Sequence, residues 1–349
     1  MLRKMLLTFL YLFVPLATIG FSYRAVNYYF LEAANPADAT QIAIDVTATK
    51  SLKQLAKELE SKGLLRSEYS LRVIARLKKS DTLLKAGEYE LSASMTPEEI
   101  LNKMVRGEMV LRRVTIKEGM RASEIGPLLE AAGITSRSDF DNALNDSALQ
   151  VELKLPAGSF EGYLFPDTYS FQRNTPAAKV IAAMKAQFDA KWQPEWDERV
   201  KALGRSKHEL VTLASIVEKE SGNVDEQPRI ASVFFNRLRL GMRLQADPTV
   251  IYGIQNFNGN ITKDDLLTAT PYNTYVIPGL PPGPIANPGL SALAATLNPE
   301  QTSYLYFVGN GMGRHVFSES LTEHNNAVNQ FQRGGSAPAA ATEPTTTLP

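Results

Sequence analysis

The stretch that decides the reading of this chain runs from Leu210 to Tyr252: LVTLASIVEKESGNVDEQPRIASVFFNRLRLGMRLQADPTVIY. Leu210, Leu213, Ala214 and Val217 recur at i, i+3, i+4 and i+7, which marks one buried face of an α-helix. At about 100° per residue, Glu218 falls roughly 90° from the middle of that face. It sits on the shoulder of the apolar stripe, beside the small residues Ala214, Ser215, Ser221 and Gly222. Glu220 sits on the other shoulder, flanked by Ile216 and Val217, and Lys219 points to solvent. A half-buried carboxylate with apolar walls has a raised pKa, because desolvation penalises the charged form. A general acid at neutral pH needs that property. The same spacing also describes a surface glutamate that borders the core and pairs with a lysine, which is the commoner outcome in helices.

Working outward, Ser206 and Glu209 form a capping-box pattern that starts this helix. Beyond Gly222, Asp225 and Glu226 open a second helix with Ile230, Val233, Phe234 and Leu238 inward, Asn236 and Arg237 off that face, and Gly241 at its end. Leu244 to Thr249 is expected to be a loop, since Pro248 biases Asp247 towards an extended backbone. Asp264 and Asp265 start a short helix. Pro271 to Ile285 is too rich in Pro and Gly for any regular element, and a long ordered loop of this kind usually serves function. Tyr304–Val308 and His315–Phe317 are predicted strands around a Gly309–Gly313 turn, and Thr322 to Phe331 a helix. The Ala/Pro/Thr tail after residue 333 has nothing to build a core with and is expected to be disordered.

Upstream, Ser159 to Tyr169 (SFEGYLFPDTY) interleaves aromatics with carboxylates, which suits a sugar groove or, equally, a packed connector. Thr175-Pro176 caps a helix running to about Phe188. Nearer the N-terminus, a strand–helix unit appears three times. Ile42–Val46 precedes a helix from Ser51 to Gly63, and Ala86–Leu91 precedes one capped by Thr96-Pro97 and ended by Gly107. Val114–Lys117 precedes one ending at Gly133, offset by 70 residues from the first, so that Leu55 matches Ile125 and Leu59 matches Leu129. These units resemble degenerate LysM-type carbohydrate-binding modules. Short αβ units that bind nothing have the same pattern.

The first residues carry a different signal. Met5 to Tyr23 contains no charge, and its 19 residues reach about 28 Å as a helix, close to a hydrocarbon core of about 30 Å. Arg3 and Lys4 precede it, which directs the N-terminus to the cytoplasm and the bulk of the chain outside. A small-residue tripeptide at Ala37 to Ala39 lies well beyond the apolar run, and that run exceeds a signal-peptide core, so the segment is expected to be an uncleaved anchor. The fold class expected is α+β, with an N-terminal transmembrane helix, a LysM-like αβ module and a mixed α+β catalytic domain with a long Pro/Gly-rich loop. The expected partition is 1–23 tail and membrane helix, 24–41 stalk, 42–118 LysM-like module, 119–333 catalytic domain and 334–349 disordered tail.

Composition narrows the chemistry. The chain has 349 residues, with 37 Lys+Arg against 37 Asp+Glu, and that balance gives no case for a nucleic-acid partner. The absence of cysteine removes disulfides, thiolate metal sites and a cysteine nucleophile. His208, His315 and His324 are too scattered in sequence to announce a metal site, and no metal or cofactor is expected. Phosphate-loop and dinucleotide signatures are absent. So is GxSxG, and Ser215 has Glu218 three residues on and Lys219 four on, which breaks the SxxK spacing of penicillin-binding serine enzymes. Carboxylate chemistry remains, with Glu218, Glu161, Asp167 and Asp247 as candidates. Glycosidases use two such groups. A lytic enzyme needs one, because the sugar's own hydroxyl attacks and no water must be activated.

SIVEKES, RIASVFFNRL and MRLQADPTVIYG, within Leu213–Gly253, resemble the YceG-like (MltG) family of endolytic murein transglycosylases. So do EGYLFPDTY from Glu161, YNTY from Tyr272, GLPPGPI from Gly279 and YLYFV from Tyr304. The resemblance extends over roughly residues 5–332. It implies an inner-membrane enzyme, without cofactor, that cuts nascent peptidoglycan strands internally, next to the peptidoglycan synthases, and ends strand elongation. It also implies that the catalytic acid is the glutamate of SIVEKES, assigned here to Glu218. That residue protonates the glycosidic oxygen between N-acetylmuramic acid and N-acetylglucosamine, then takes the proton of the C6 hydroxyl as a 1,6-anhydro ring closes. Gln245, Asn236 and Asp247 are expected to hold sugar hydroxyls or orient the acid. Tyr272, Asn273 and Tyr275 are expected to line the groove, with Glu161 facing them. The rival from another class is a membrane-tethered peptidoglycan-binding scaffold without catalysis.

Overall fold

The computed structural model describes residues 2–332, and the side chains of all of these except 2–8, 10, 12 and 157. The tail expected to be disordered lies outside the described residues. Helix α1 (Leu2–Val26) runs into a π-helical turn at Asn27–Leu31. Among the described residues no helix is long and apolar enough to cross a membrane. Part of the expected anchor, the side chains of residues 5–8, 10 and 12, lies outside them. Those of Phe9, Phe13, Leu16, Ile19 and Phe21 are described and exposed. The segment read as a stalk is fastened down. Arg66 donates to the carbonyls of Tyr28 at 2.7 Å and Ala34 at 3.2 Å, and Asn35 N–H reaches Ala93 O at 2.9 Å.

The chain packs as two units, one ending at Arg112 and including 170–173, the other made of 113–169 and the residues from Asn174 on. In the first, β1 (Ile42–Val46), α2 (Leu52–Ser61), α3 (Glu68–Leu77), β2 (Gly87–Leu91) and α4 (Pro97–Arg106) follow in order. β1 and β2 pair antiparallel, Ile42 opposite Leu91 and Val46 opposite Gly87. Ser51 and Thr96 each form a capping box, with Gln54 and Glu99. Leu55, Leu59, Leu71, Tyr89, Leu91, Ile100 and Met104 form the core, each large apolar side chain stabilising by about 1.5–3 kcal/mol on burial. Helix α3 fills the gap between the two strand–helix units read from the sequence, so the order is β-α-α-β-α.

The second unit holds most of β3 (Arg112–Thr115), then α5 (Ala122–Ala131), α6 (Arg137–Leu144) and α7 (Ser147–Glu152). The strand β4 (Thr168–Phe171) pairs with β3. The third strand–helix unit of the sequence therefore does not join the β1–β2 sheet. Helices α8 (Ala177–Lys191), α9 (Pro194–Ala202), α10 (Lys207–Glu220), α11 (Gln227–Arg239), α12 (Asp247–Gly253), α13 (Lys263–Leu267) and α14 (Leu290–Leu297) follow. The hairpin of β5 (Tyr306–Gly309) and β6 (His315–Ser318) precedes α15 (Leu321–Phe331). Helix α10 is buried on all sides from Leu210 to Val217. It packs against α11, α12 and α14, with Leu213, Ile216, Val217, Ile230 and Phe234 sharing one apolar cluster.

A further element differs from expectation. The loop read over Leu244–Thr249 ends at Ala246, and α12 starts at Asp247 with Pro248 in its first turn. Proline is well placed there, because the N–H it lacks would have no helical partner. The Pro/Gly-rich stretch is irregular, as its composition requires, and is clamped. Ile285 N–H donates to Ser215 Oγ at 3.0 Å, and Asn287 Oδ1 accepts from the N–H groups of Gly162 at 2.9 Å and Leu164 at 3.0 Å. Gly162 has φ +86°, and a Cβ there would lie 2.5 Å from Pro284 Cγ, so only glycine fits this approach.

Candidate active site

The last turn of α10 carries three charged residues, Glu218, Lys219 and Glu220. Residues two apart on a helix are about 200° apart in direction, so the two glutamates look opposite ways. Glu218 Oε2 accepts the Gly289 N–H at 3.0 Å. Burial pushes its carboxyl up, the Gly289 bond pulls it down, and the Glu118 charge adds a further rise. The site is crowded: a Cβ on Gly289 would run into the Glu118 carboxylate. This bond ties Glu218, at the end of α10, to the loop before α14.

Glu220 faces a cavity of about 400 Å3. Burial, with the Asp247 charge next, pushes its carboxyl up to about 8, while Arg237 opposes the rise. It makes no hydrogen bond to another described residue. That shift favours the protonated form near neutral pH, and no described residue accepts its proton. Arg237, Gln245, Asp247, Tyr275, Tyr306 and His315 are among the residues around it.

The walls of this cavity are fixed in detail. Gln245 adopts φ +51°, a left-handed conformation that costs a non-glycine residue energy and recurs at functional sites. Its N–H donates to Thr274 O at 3.2 Å, and Ala246 N–H to Thr274 Oγ1 at 3.0 Å. Thr249 and Thr274 share a hydroxyl bond at 2.9 Å. That lacing brings Tyr275 to Asp247, where its hydroxyl donates to Oδ1 at 2.6 Å. Arg237 donates to the carbonyls of Leu305 at 2.6 Å and Leu244 at 2.8 Å, and lies 5.1 Å over the Tyr306 ring. Burial lowers its pKa. On the far wall His315 Nδ1 lies 2.8 Å from Glu226 Oε2.

The residues expected at the site divide. Gln245, Asp247 and Tyr275 gather around Glu220. Asn273 does not reach the groove: it is buried, and its amide donates to the carbonyls of Asp265, Leu266 and Thr268. Asn236 donates to Thr302 O at 2.8 Å and Tyr304 O at 3.0 Å, which holds the approach to β5. Glu161 and Tyr272 lie elsewhere. Glu161 is buried, accepting Ala122 N–H at 3.0 Å and the Tyr252 hydroxyl at 3.2 Å, and burial pushes it up to about 7. Tyr272 packs on Tyr252 at 4.7 Å between ring centroids. Asp167 accepts from Gln187 at 2.6 Å and takes no part. Glu220, Arg237, Tyr306 and His315 are the site residues that the sequence did not single out for it. The signal for Glu220 was its flanking by Ile216 and Val217, a more apolar setting than the small neighbours of Glu218.

Glu220, its carboxyl raised by burial, thus opens on a cavity with Asp247 beside it and the Tyr275 and Tyr306 rings in its wall. The chain belongs to the YceG-like family, whose model matches residues 44–330. It is 31% identical over 320 residues to a Bacillus subtilis (strain 168) protein named endolytic murein transglycosylase, covering 86% of this chain and 88% of that relative. A Streptococcus pneumoniae (serotype 2) protein of the same name is 29% identical over 86% of this chain and 60% of its own length. Among solved structures, a YceG-like protein from Listeria monocytogenes superposes with a TM-score of 0.57 at 34% identity, covering 82% of this chain and 99% of the other.

Proposed function

We propose that this chain is a lytic transglycosylase that cuts peptidoglycan strands internally, with Glu220 as its one acid–base group. The observation that carries this reading is the Glu220 carboxyl, free of hydrogen bonds to the described residues and facing the 400 Å3 cavity, where burial pushes it up to about 8. The name borne by the curated relatives supplies the substrate class.

Glu220 gives its proton to the oxygen that links N-acetylmuramic acid to N-acetylglucosamine, and the bond from that oxygen to the muramoyl C1 breaks. The acetamido oxygen of the same sugar shares the positive charge left on C1. Glu220, now a carboxylate, takes the proton of the C6 hydroxyl as that oxygen closes on C1. The products are a 1,6-anhydro end and a new N-acetylglucosamine end, and Glu220 has its proton back. Asp247 favours the protonated form before the cut, and Arg237 favours the carboxylate between the two transfers. Tyr275 holds Asp247 in place, and Gln245 offers its amide to sugar hydroxyls.

The apolar run from Met5 to Tyr23, preceded by Arg3 and Lys4, anchors the chain in the inner membrane with the residues after it outside, where synthases deliver new strands. Cutting there ends the elongation of a strand. Mass spectrometry of fragments released from purified glycan strands tests the chemistry. Anhydro ends are expected, and lost in Glu220→Gln; reducing ends mean hydrolysis and a second working carboxylate. Activity kept by Glu220→Gln but lost in Glu218→Gln returns the acid to Glu218. Protease treatment of spheroplasts tests the orientation: degradation of both units is expected, and full protection overturns it.

A further inference from the structure

A cavity of about 360 Å3 is built from the same two helices that supply Glu220 and Asp247. Helix α10 sends Glu220 into the first cavity and its neighbour Lys219 into this one. Helix α12 sends Asp247 into the first and Pro248 and Ile251 into this one. Arg121, Phe257 and Ile285 complete the wall. Glu124 borders it too, but its carboxylate already accepts the Arg121 backbone N–H at 2.7 Å, closing the first turn of α5. Among the described residues Lys219 donates to Gly119 O at 3.2 Å, and the Arg121 guanidinium lies 5.0 Å over the Tyr252 ring. The mechanism above uses neither cation.

Two cations against the one Glu124 carboxylate, over an apolar floor, leave a positive excess that fits a ligand carrying carboxylates on a short organic backbone. The strand proposed as substrate carries such a group. Each muramoyl residue bears a short peptide with free carboxylates on its lactyl ether. The Lys219–Arg121 cavity, lined by the residues next along α10 and α12 from Glu220 and Asp247, offers the matching charge. We propose that this cavity is a subsite for the acidic stem peptide of the muramoyl residue beside the cut. The proposal rests on the transglycosylase reading of Glu220. It makes the enzyme one that prefers strands whose peptides are still attached. Because Lys219 is exposed and Arg121 half-buried, the preference weakens as salt screens them.

The test compares two preparations of the same glycan strands, one with stem peptides and one stripped by an amidase. Both are digested by the full chain and by its Lys219→Ala, Arg121→Ala, Lys219→Arg and Glu220→Gln variants. A charge-assisted contact gives the wild-type chain a kcat/KM about tenfold higher on peptide-bearing strands, carried by KM. The ratio falls towards one in both alanine variants and in high salt, and Lys219→Arg keeps most of it. Equal kcat/KM on the two substrates for the wild-type chain, or an unchanged ratio in both alanine variants, overturns the subsite. Failure of the underlying reading looks different: Glu220→Gln then still cuts both preparations.

Discussion

Two glutamates lie two residues apart in the last turn of α10, and they have opposite fates. Glu218 is tied to the Gly289 N–H and crowded by Glu118. Glu220 has no such tie and opens on a cavity. Burial raises the pKa of both, so a raised pKa does not separate a strut from a catalyst. What separates them is whether the carboxyl is already engaged by the protein. A hydrogen-bonded acid stabilises the fold; one left unbonded in a cavity is available to substrate.

The largest expected effect breaks that comparison directly. Glu220→Gln removes the transferable proton and lowers kcat by about 10²–10⁴-fold, the usual contribution of general acid–base catalysis. The same variant gains stability relative to the parent chain as pH rises from about 4.5 to 8, and is most favoured above 8, because the unfolded parent ionises this carboxyl more readily than the folded one does. Strand-cleavage assays and thermal melts on one preparation check both halves. A variant that loses activity and stability together points instead to a structural role for Glu220.

Next in size is Glu161, a buried carboxylate outside the cavity. Its folded pKa of about 7 lies above the ordinary 4.5, so the folded state binds its proton more tightly than the unfolded state does. Stability is therefore greatest below the ordinary value and falls as pH rises towards 7. At about 1.4 kcal/mol per pKa unit, the drop is about 3 kcal/mol. Glu161→Gln flattens that part of the pH–stability curve, and denaturant melts between pH 4.5 and 8 measure it. A slope that is unchanged in the variant removes Glu161 as its source.

How much of this was legible in the sequence depends on whether the signal was periodic. The caps at Ser51, Thr96 and Ser206 and the irregular Pro/Gly stretch follow from local rules, and the fold obeys them, whereas the single buried face read for α10 proves to be a helix buried on all sides from Leu210 to Val217. Gln245, Asp247 and Tyr275 were read as site residues and do meet, through the Thr274 lacing that no local pattern reveals. Asn273 and Asn236 were read the same way, but their amides already donate to backbone carbonyls, and an amide engaged in that way looks in sequence like one that binds sugar. The choice between Glu218 and Glu220 was beyond periodicity. It turns on Gly289, which lies 71 residues from Glu218 in the chain.

Asp247 sharpens the comparison, because its charge is what most distinguishes the surroundings of Glu220 after burial itself. Glu220 acts while protonated, so activity is lost as pH rises through about 8. Asp247→Asn removes the negative charge that favours the proton, and the alkaline limb of kcat/KM moves down by about one pH unit. The asparagine still accepts the Tyr275 hydroxyl, so the cavity keeps its shape. A limb that stays in place assigns Asp247 to substrate contact alone.

The smallest effect belongs to Glu218, and it completes the contrast. Glutamine at this position keeps an oxygen to accept the Gly289 N–H, and it relieves the repulsion from Glu118. What is lost is the charge on the acceptor, and hydrogen bonds to charged groups exceed neutral ones by about 1 kcal/mol. The carboxyl is partly solvated and already biased towards its neutral form by burial, so even that difference is reduced. Glu218→Gln is therefore expected to cut strands within about twofold of the parent, with a stability change of about 1 kcal/mol or less. Glu218→Ala, which leaves the Gly289 N–H without a partner, costs more stability than the glutamine variant while sparing the chemistry. Parallel melts and digests of the two variants separate a strut from an acid, because only a strut ranks them by stability and leaves turnover alone.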